Sequence, residues 1–496
     1  MLDVCLVLEG TYPYVLGGVA SWVHQLISGL PDVRFGLVCL VAEDGKPPDR
    51  YLVPPNVVFR QDVALFGKLP DDGRRAEPTR GLIDAARGLH APGALRCPFF
   101  RQLARQSQGR SAACLLASKA AWGLVRELYR QRGRSVPIMD YFWTWRAIHT
   151  PLLRLLDVEL PAAKVYHTTS TGYAGLLAAL AKLRLGAGVA VTEHGLFGRE
   201  RELEIFNADW IYRAPAGRAN PEHERFLKGW WRASFNAMCE LTYGHADQLI
   251  TLHDANRRIQ VDSGAPADRL AVVPNGIDPE PYVPLRAGRD WSERPFRVGY
   301  IGRIVPIKDL KTFLRAIALA NREEPVEGLV LGPGEESPDY VASCHELVAD
   351  LGIADKVTFA GKVDVAAWLP RLDVLAMTSI SESQPLVILE AAAAGVPSIA
   401  TDVGACREML EGRTPEDAAL GESGLVTPPL SPEETARAIV ALARDPRRHA
   451  AMAAAGIERV ERFYRQADVY AFYRQLYLDL AGERYEPLAG HDRRAA

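Results

Sequence analysis

The sequence predicts an α/β protein built from two doubly wound, Rossmann-like domains. Three observations predict it. The chain has 496 residues, too many for one ordinary domain. Short apolar runs alternate with longer helical patterns almost throughout, and the runs are continuous, as in parallel strands covered on both faces. The alternation stops at Asn275–Pro295, a stretch carrying Pro279, Pro281, Pro284 and Pro295, and restarts at Phe296.

The first series of predicted strands is Val4–Leu8, Arg34–Val41, Lys164–His167, Gly188–Thr192, Gln248–Leu252 and Ala271–Pro274. The second is Phe296–Ile301, Gly328–Leu331, Lys356–Ala360, Asp373–Met377 and Pro397–Thr401. The predicted division is an N-terminal domain at 1–280, a C-terminal domain at 281–465 and a terminal segment at 466–496 expected to pack back on the first domain. The first domain is the larger because the strand signal vanishes at about residues 60–160, read as a helical insert.

Composition narrows the functional classes. The formal net charge is −3, so no global field recruits nucleic acid or an anionic membrane. The opening Met1-Leu2-Asp3-Val4-Cys5-Leu6-Val7-Leu8-Glu9 reads as a buried strand, because its apolar run is interrupted by Asp3 and no basic residue precedes it. No apolar stretch approaches the ~20 residues that span a bilayer. The seven cysteines form no C-x-x-C pair, which points to free thiols in a reducing cytosol and away from zinc.

The insert concentrates charge. From Arg96 to Arg134 run Arg96, Arg101, Arg105, Arg110, Lys119, Arg126, Arg130, Arg132 and Arg134 against the single acid Glu127, with Leu115, Leu116, Trp122, Val125 and Tyr129 interleaved. Two readings fit: a helical excursion with a solvated basic face, or a docking surface for a membrane-protein partner or anionic lipid.

Three motifs carry chemistry. The first strand runs through Glu9 and Gly10 to Gly17-Gly18 and a helix, an arrangement that brings backbone N–H groups to one place and lets a ligand approach closely, or else only a tight connection. It lacks G-x-G-x-x-G, which argues against a nicotinamide or flavin site. In the second domain, Gly302-Arg303 and Lys308 follow a strand and precede a helix, two cations suited to a diphosphate, or else two solvated charges. In Ser381-Glu382-Ser383-Gln384-Pro385-Leu386-Val387-Ile388-Leu389-Glu390, Pro385 predicts a helix start. Glu382 then lies in the loop above and Glu390 inside the helix, while N–H groups at Leu386 and Val387 can receive a phosphate. Gly395 and Pro397 predict the helix stop.

These motifs, with Val273-Pro274-Asn275-Gly276-Ile277-Asp278, resemble the family-4 retaining glycosyltransferases of GT-B fold, two Rossmann-like domains facing a cleft. A narrower likeness rests on Leu8–Tyr14, Gly17-Gly18-Val19, Trp22-Val23-His24, Thr192-Glu193-His194-Gly195 and Pro306–Phe313. These segments resemble the PelF group, the glycosyltransferases of bacterial Pel exopolysaccharide synthesis.

The resemblance implies a UDP-sugar donor (UDP-glucose or UDP-N-acetylhexosamine) and a growing polysaccharide acceptor. It also implies inner-membrane Pel-type synthase subunits as partners, and a cytoplasmic protein peripheral at the inner membrane. It implies that Arg303 and Lys308 bind the diphosphate, Glu390 the ribose and Glu382 the transferred sugar, with His194 near the reacting sugar and Gly17 and Gly18 facing donor and acceptor. Gly332 matches a turn near the nucleotide, and Val363 follows a strand where the nucleobase packs. The chain has no Asp-x-Asp triplet. The expectation is therefore no metal and no cofactor, with Arg303 and Lys308 neutralising the leaving diphosphate. A GT-B epimerase or phosphorylase, and a non-catalytic nucleotide-sugar-binding subunit of a membrane synthase, stay open as alternatives.

Overall fold

Val4, Cys5, Leu6, Val7 and Leu8 are all buried, so neither face of strand β1 (Leu2–Glu9) meets water, as an unbroken apolar run requires. The structure, a computed structural model, describes residues 1–42, 45, 48–66, 78–90, 96–107, 116, 118–212, 220–286 and 288–482. β2 (Phe35–Val41) and β4 (Ala163–Thr168) flank β1 in parallel. With β3 (Val57–Ala64), β5 (Gly188–Glu193), β6 (Gln248–Thr251) and β7 (Leu270–Val272) they form a seven-stranded sheet of order β3-β2-β1-β4-β5-β6-β7.

The second sheet comprises β8 (Phe296–Ile301), β9 (Val326–Leu331), β10 (Val357–Gly361), β11 (Val374–Met377), β12 (Ser398–Thr401) and β13 (Gly424–Thr427), in the order β10-β9-β8-β11-β12-β13. Each sheet grows outward in both directions from its first strand. The strand order therefore reverses beside β1 and beside β8, the switch points where α/β proteins bind ligands outside the carboxyl ends.

Two strands escape the sequence pattern. β3 carries Arg60, Gln61 and Asp62 at its centre and lies at a sheet edge. Arg60 is held there by Asp49 at 2.8 Å. β13 has only four residues. The predicted start of the insert, near residue 60, falls inside β3. The helices Arg80–Gly88, Arg96–Gln106, Lys119–Leu128 and Ile138–Leu155 follow it.

Two compact units divide the chain. The first holds Met1–Thr251, Asn256–Val272 and the chain from Phe472 onward; the second holds Leu252–Ala255 and Val273–Ala471. The division falls at 272/273 rather than 280 because the proline-rich linker is sewn into the second unit. Ile277 N–H donates to the Tyr464 carbonyl and Gln466 N–H to the Ile277 carbonyl, each at 2.9 Å. A Cβ at Gly276 would sit 2.6 Å from the Arg465 carbonyl carbon.

The helix Gln466–Leu480 starts in the second unit and ends in the first. In the first unit, the Tyr477 hydroxyl hydrogen-bonds with His167 Nδ1 at 2.8 Å. Thr192 Oγ1 bonds with His167 Nε2 and with the Tyr473 hydroxyl, both at 2.9 Å. Deep in the second unit Arg459, 1% exposed, pairs with Asp417 at 2.6 Å and donates to the carbonyls of Leu410 and Gly421. Such saturation is what a buried guanidinium needs.

Cys5, Cys39, Cys97, Cys239, Cys344 and Cys406 are free thiols; Cys114 lies outside the described residues. No helix among the described residues is long and apolar enough to cross a membrane.

Candidate active site

The second unit gathers its predicted residues at the carboxyl ends of β8 and β11. The loops leaving β8, β9 and β10 are stitched by backbone bonds: Gly302 N–H to the Leu331 carbonyl at 3.0 Å and Gly332 N–H to the Gly361 carbonyl at 2.8 Å. A Cβ at Gly332 would lie 1.9 Å from the Gly302 carbonyl oxygen, so only glycine permits this approach. Gly332 is thereby accounted for by packing. After β8 the chain makes a short turn at Pro306–Lys308 and enters the helix Leu310–Ala320 through Asp309. Asp309 has a φ of 45°, a conformation that short polar side chains tolerate best, and its carboxylate caps Thr312 N–H at 3.3 Å. Thr378, following β11, donates to the Asp309 carbonyl at 2.9 Å and ties the turn to the next strand.

That turn aims Lys308 at Glu382, and the two form an ion pair with the glutamate side chain 12% exposed. Ser379 Oγ donates to the same carboxylate oxygen at 2.6 Å. Arg303 does not join them. Its guanidinium pairs with Glu336 at 2.5 Å, and both side chains are more than half exposed, at 55% and 57%.

The helix Leu386–Ala393 begins directly after Pro385, with no side chain capping it. Its first N–H groups, at Leu386 and Val387, are those a helix leaves for an outside acceptor. Gly395 then ends the helical region with a φ of 70°. Glu390 lies in the second turn of this helix, beside Tyr282. Burial alone raises its carboxyl above the usual range, and among the described residues it accepts no hydrogen bond. Val363 packs half-buried on the apolar cluster beneath this helix.

Three supporting residues were not read from the sequence. Gly404, at a φ of 55°, brings the loop after β12 so close that a Cβ would meet the carbonyl oxygens of Glu382 and Ser383 at 2.3 Å. Ala405 N–H donates to the Ser383 carbonyl at 2.7 Å. Gln384 exchanges two hydrogen bonds with the Asn275 backbone, at 2.6 and 3.1 Å. The Val403-Gly404-Ala405 turn was the only signal available; Gln384 offered none.

The first unit holds the remaining predicted residues at the ends of β1 and β5. Gly17 and Gly18 open the helix Gly18–Gly29, and a Cβ at either would meet nothing within 4 Å. Internal packing therefore does not demand glycine there, which leaves room for another molecule. His194 is buried against Trp22, ring centroids 4.5 Å apart at 67°. Burial lowers its pKa to about 4, so the imidazole is neutral at pH 7.

Its chain neighbour Glu193 is a buried polar knot, which the sequence did not reveal. This 1% exposed carboxylate accepts from Thr171 at 2.9 Å, Tyr243 at 2.7 Å, Gln260 at 2.6 Å and the Phe197 N–H at 3.4 Å. Burial pushes its carboxyl up and these donors draw it down.

Comparison with known proteins follows the same division. Residues 2–268 match the family described as a domain of unknown function, DUF3492, and residues 295–445 match glycosyl transferases group 1. D-inositol 3-phosphate glycosyltransferase of Stackebrandtia nassauensis is 32% identical over 243 residues, 45% of this chain and 52% of that protein. The protein of that name from Kineococcus radiotolerans is 34% identical over 265 residues, 48% of this chain and 59% of its own. The chain thus spans about half the length of the curated relatives it matches.

Among solved structures, Anabaena HepE in complex with UDP superposes with a TM-score of 0.59 at 16% identity, covering 96% of this chain and 99% of that one. Sucrose-phosphate synthase from Thermosynechococcus elongatus gives 0.57 at 17%, with the same coverage. At such identities the likeness is one of fold, the two parallel-sheet domains of GT-B structures. With more than half of its length matched by one family, the chain belongs to the DUF3492 family, here followed by a glycosyl transferases group 1 domain.

Proposed function

We propose that the chain is a retaining, metal-independent glycosyltransferase that moves a sugar from a UDP-sugar to a growing extracellular polysaccharide. One observation carries the reading: an uncapped helix N-terminus at Leu386 flanked by the Lys308–Glu382 pair and followed by the half-buried Glu390, which bonds to no described residue. A diphosphate at the helix N-terminus takes Lys308 from Glu382, and the released carboxylate turns to the hydroxyls of the transferred sugar. Glu390 accepts the ribose hydroxyls. Departure of UDP needs its developing charge neutralised; Lys308 and the helix dipole supply this, with Arg303 after it exchanges Glu336 for phosphate. Glu382 and Glu390 are assigned to hydroxyls of the sugar and the ribose, which leaves no carboxylate assigned as nucleophile. The reaction is therefore assigned to the front face: the acceptor oxygen bonds to the anomeric carbon as the phosphate leaves, and the phosphate oxygen takes the acceptor proton. His194, neutral, is assigned to the transferred sugar on the family resemblance alone.

The relatives and structural neighbours support a nucleotide-sugar donor; HepE was solved with UDP-glucose as well as UDP. The likeness to the PelF group supports a Pel-type biofilm polysaccharide as product and Pel-type synthase subunits as partners at the cytoplasmic face of the inner membrane. Arg101, Arg105, Arg126 and Arg130 are exposed on the insert and suit such docking; Arg96 is engaged by Glu240, and Arg110 lies outside the described residues. Charge reversal at those four positions should abolish co-sedimentation with membranes carrying the partners and spare turnover in solution. The central test is UDP release from UDP-glucose and UDP-N-acetylhexosamines, with and without acceptor, after exhaustive chelation. Activity lost to EDTA and restored by magnesium or manganese would overturn metal independence; release without any acceptor dependence would overturn transfer.

A further inference from the structure

A groove of about 570 Å³ lies in the first unit, between the helix Ile138–Leu155, the start of the helix Pro221–His245 and the turn at residues 207–212. Its volume is within the ~300–1,000 Å³ of small-ligand sites. Three indoles line it: Trp143, Trp210 and Trp231. Trp231 is buried, at 6% exposure, in a small separate core with Ile148 and Ile205. Trp210 is 64% exposed, yet its ring sits on that anchor, centroids 5.3 Å apart at 78°. Trp143, 57% exposed, stands on the facing helix with its ring 5.2 Å from that of Phe142. Two large aromatic surfaces are thus held in place and left in water, which a folded chain does not do for stability. The polar lining includes Asp140, Thr144 and Asn220, and no lysine or arginine lines the groove among the described residues.

We propose that this groove is a second carbohydrate-binding site, taking a run of neutral hexose or N-acetylhexosamine units of the glycan chain. The C–H face of a pyranose is apolar and weakly positive, which complements the negative face of an indole. Hydroxyl and amide N–H groups at the ring edge donate to the Asp140 carboxylate and bond with the Thr144 hydroxyl. The Asp140 carboxylate in the lining disfavours a phosphate or an anionic lipid headgroup. None of these residues belongs to the nucleotide site, so the groove would hold a glycan chain as its end reacts elsewhere. The proposal rests on the polysaccharide reading above, and deepens it by giving the acceptor a second point of attachment.

The full chain, with Trp143→Ala and Trp210→Ala variants, is titrated calorimetrically with maltohexaose, cellohexaose and chitohexaose, and separately with UDP. Both substitutions are at exposed rings, and unchanged thermal midpoints confirm folding. The expected result is binding of at least one oligosaccharide, weakened about tenfold or more in each variant, with UDP affinity unchanged. No oligosaccharide binding by the parent chain, or equal binding by parent and variants, overturns the groove assignment even if UDP binds. Trp-dependent oligosaccharide binding without UDP binding leaves the groove standing and removes the donor reading. Trp-dependent retention on phosphatidylglycerol vesicles without sugar binding replaces the carbohydrate site by a membrane contact.

Discussion

Glu193, buried at the end of β5 in the first unit, and Glu390, half-buried on a helix of the second, are both carboxylates with raised ionisation, and the fold treats them oppositely. Glu193 is surrounded by donors from Thr171, Tyr243, Gln260 and the Phe197 backbone. Glu390 meets only the raised ionisation that burial imposes. A carboxylate saturated from within can offer little to a ligand and serves as a knot in the structure. One that is half-buried and accepts no hydrogen bond from the chain is partly desolvated and still open to a ligand's donors. Lys308 and Glu382 lie between these extremes: they satisfy each other, and each can be satisfied instead by a bound group.

The largest expected effect breaks the saturated side of the comparison. Glu193→Ala strands three buried side-chain donors, and should cost about 3 kcal/mol of stability in urea unfolding while the folded fraction keeps its UDP affinity. A loss of UDP affinity with unchanged stability would mean that Glu193 belongs to the ligand. Next, Glu390→Gln should leave unfolding within about 0.5 kcal/mol of the parent and weaken UDP by roughly 1.5–3 kcal/mol in calorimetry, as expected for a lost charge-assisted bond. Unaltered UDP binding would remove the ribose assignment. The finest distinction lies between the two cations. Lys308→Ala should weaken UDP about tenfold, whereas Arg303→Ala breaks an exposed pair worth roughly 0–1 kcal/mol and should do less. Glu382→Gln should spare UDP and slow turnover. Equal losses for Lys308 and Arg303 would show that exchanging Glu336 for phosphate costs Arg303 nothing measurable.

Signals written in consecutive residues were legible. Pro385 and Gly395 bracket the helix Leu386–Ala393, and the apolar runs gave most strands of both sheets. What depends on distant partners was not. The donors to Glu193 come from 22, 50 and 67 residues away, and the Lys308–Glu382 pair spans 74. No local pattern marks which of two neighbours in Thr192-Glu193-His194 is the knot and which faces a site, nor that Arg303 turns to Glu336. β3 hid behind its polar centre because an edge strand need not be apolar on both faces. The tryptophans of the first-unit groove come from three separate segments, and only folding brings them to one wall.

The helix Gln466–Leu480 also sets an order of assembly. A ribosome delivers β1 to β7 first, then Val273–Ala471 of the second unit, and only afterwards the residues from Phe472 that belong with the first sheet. Nascent domains ordinarily close as they emerge. Until Tyr473 and Tyr477 are made, Thr192 and His167 lack their phenolic partners. A chain released early would carry an N-terminal half with unmet polar groups at the heart of its sheet. The native hydrogen bonding of His167 and Thr192 is therefore complete only in a chain that reaches Tyr477.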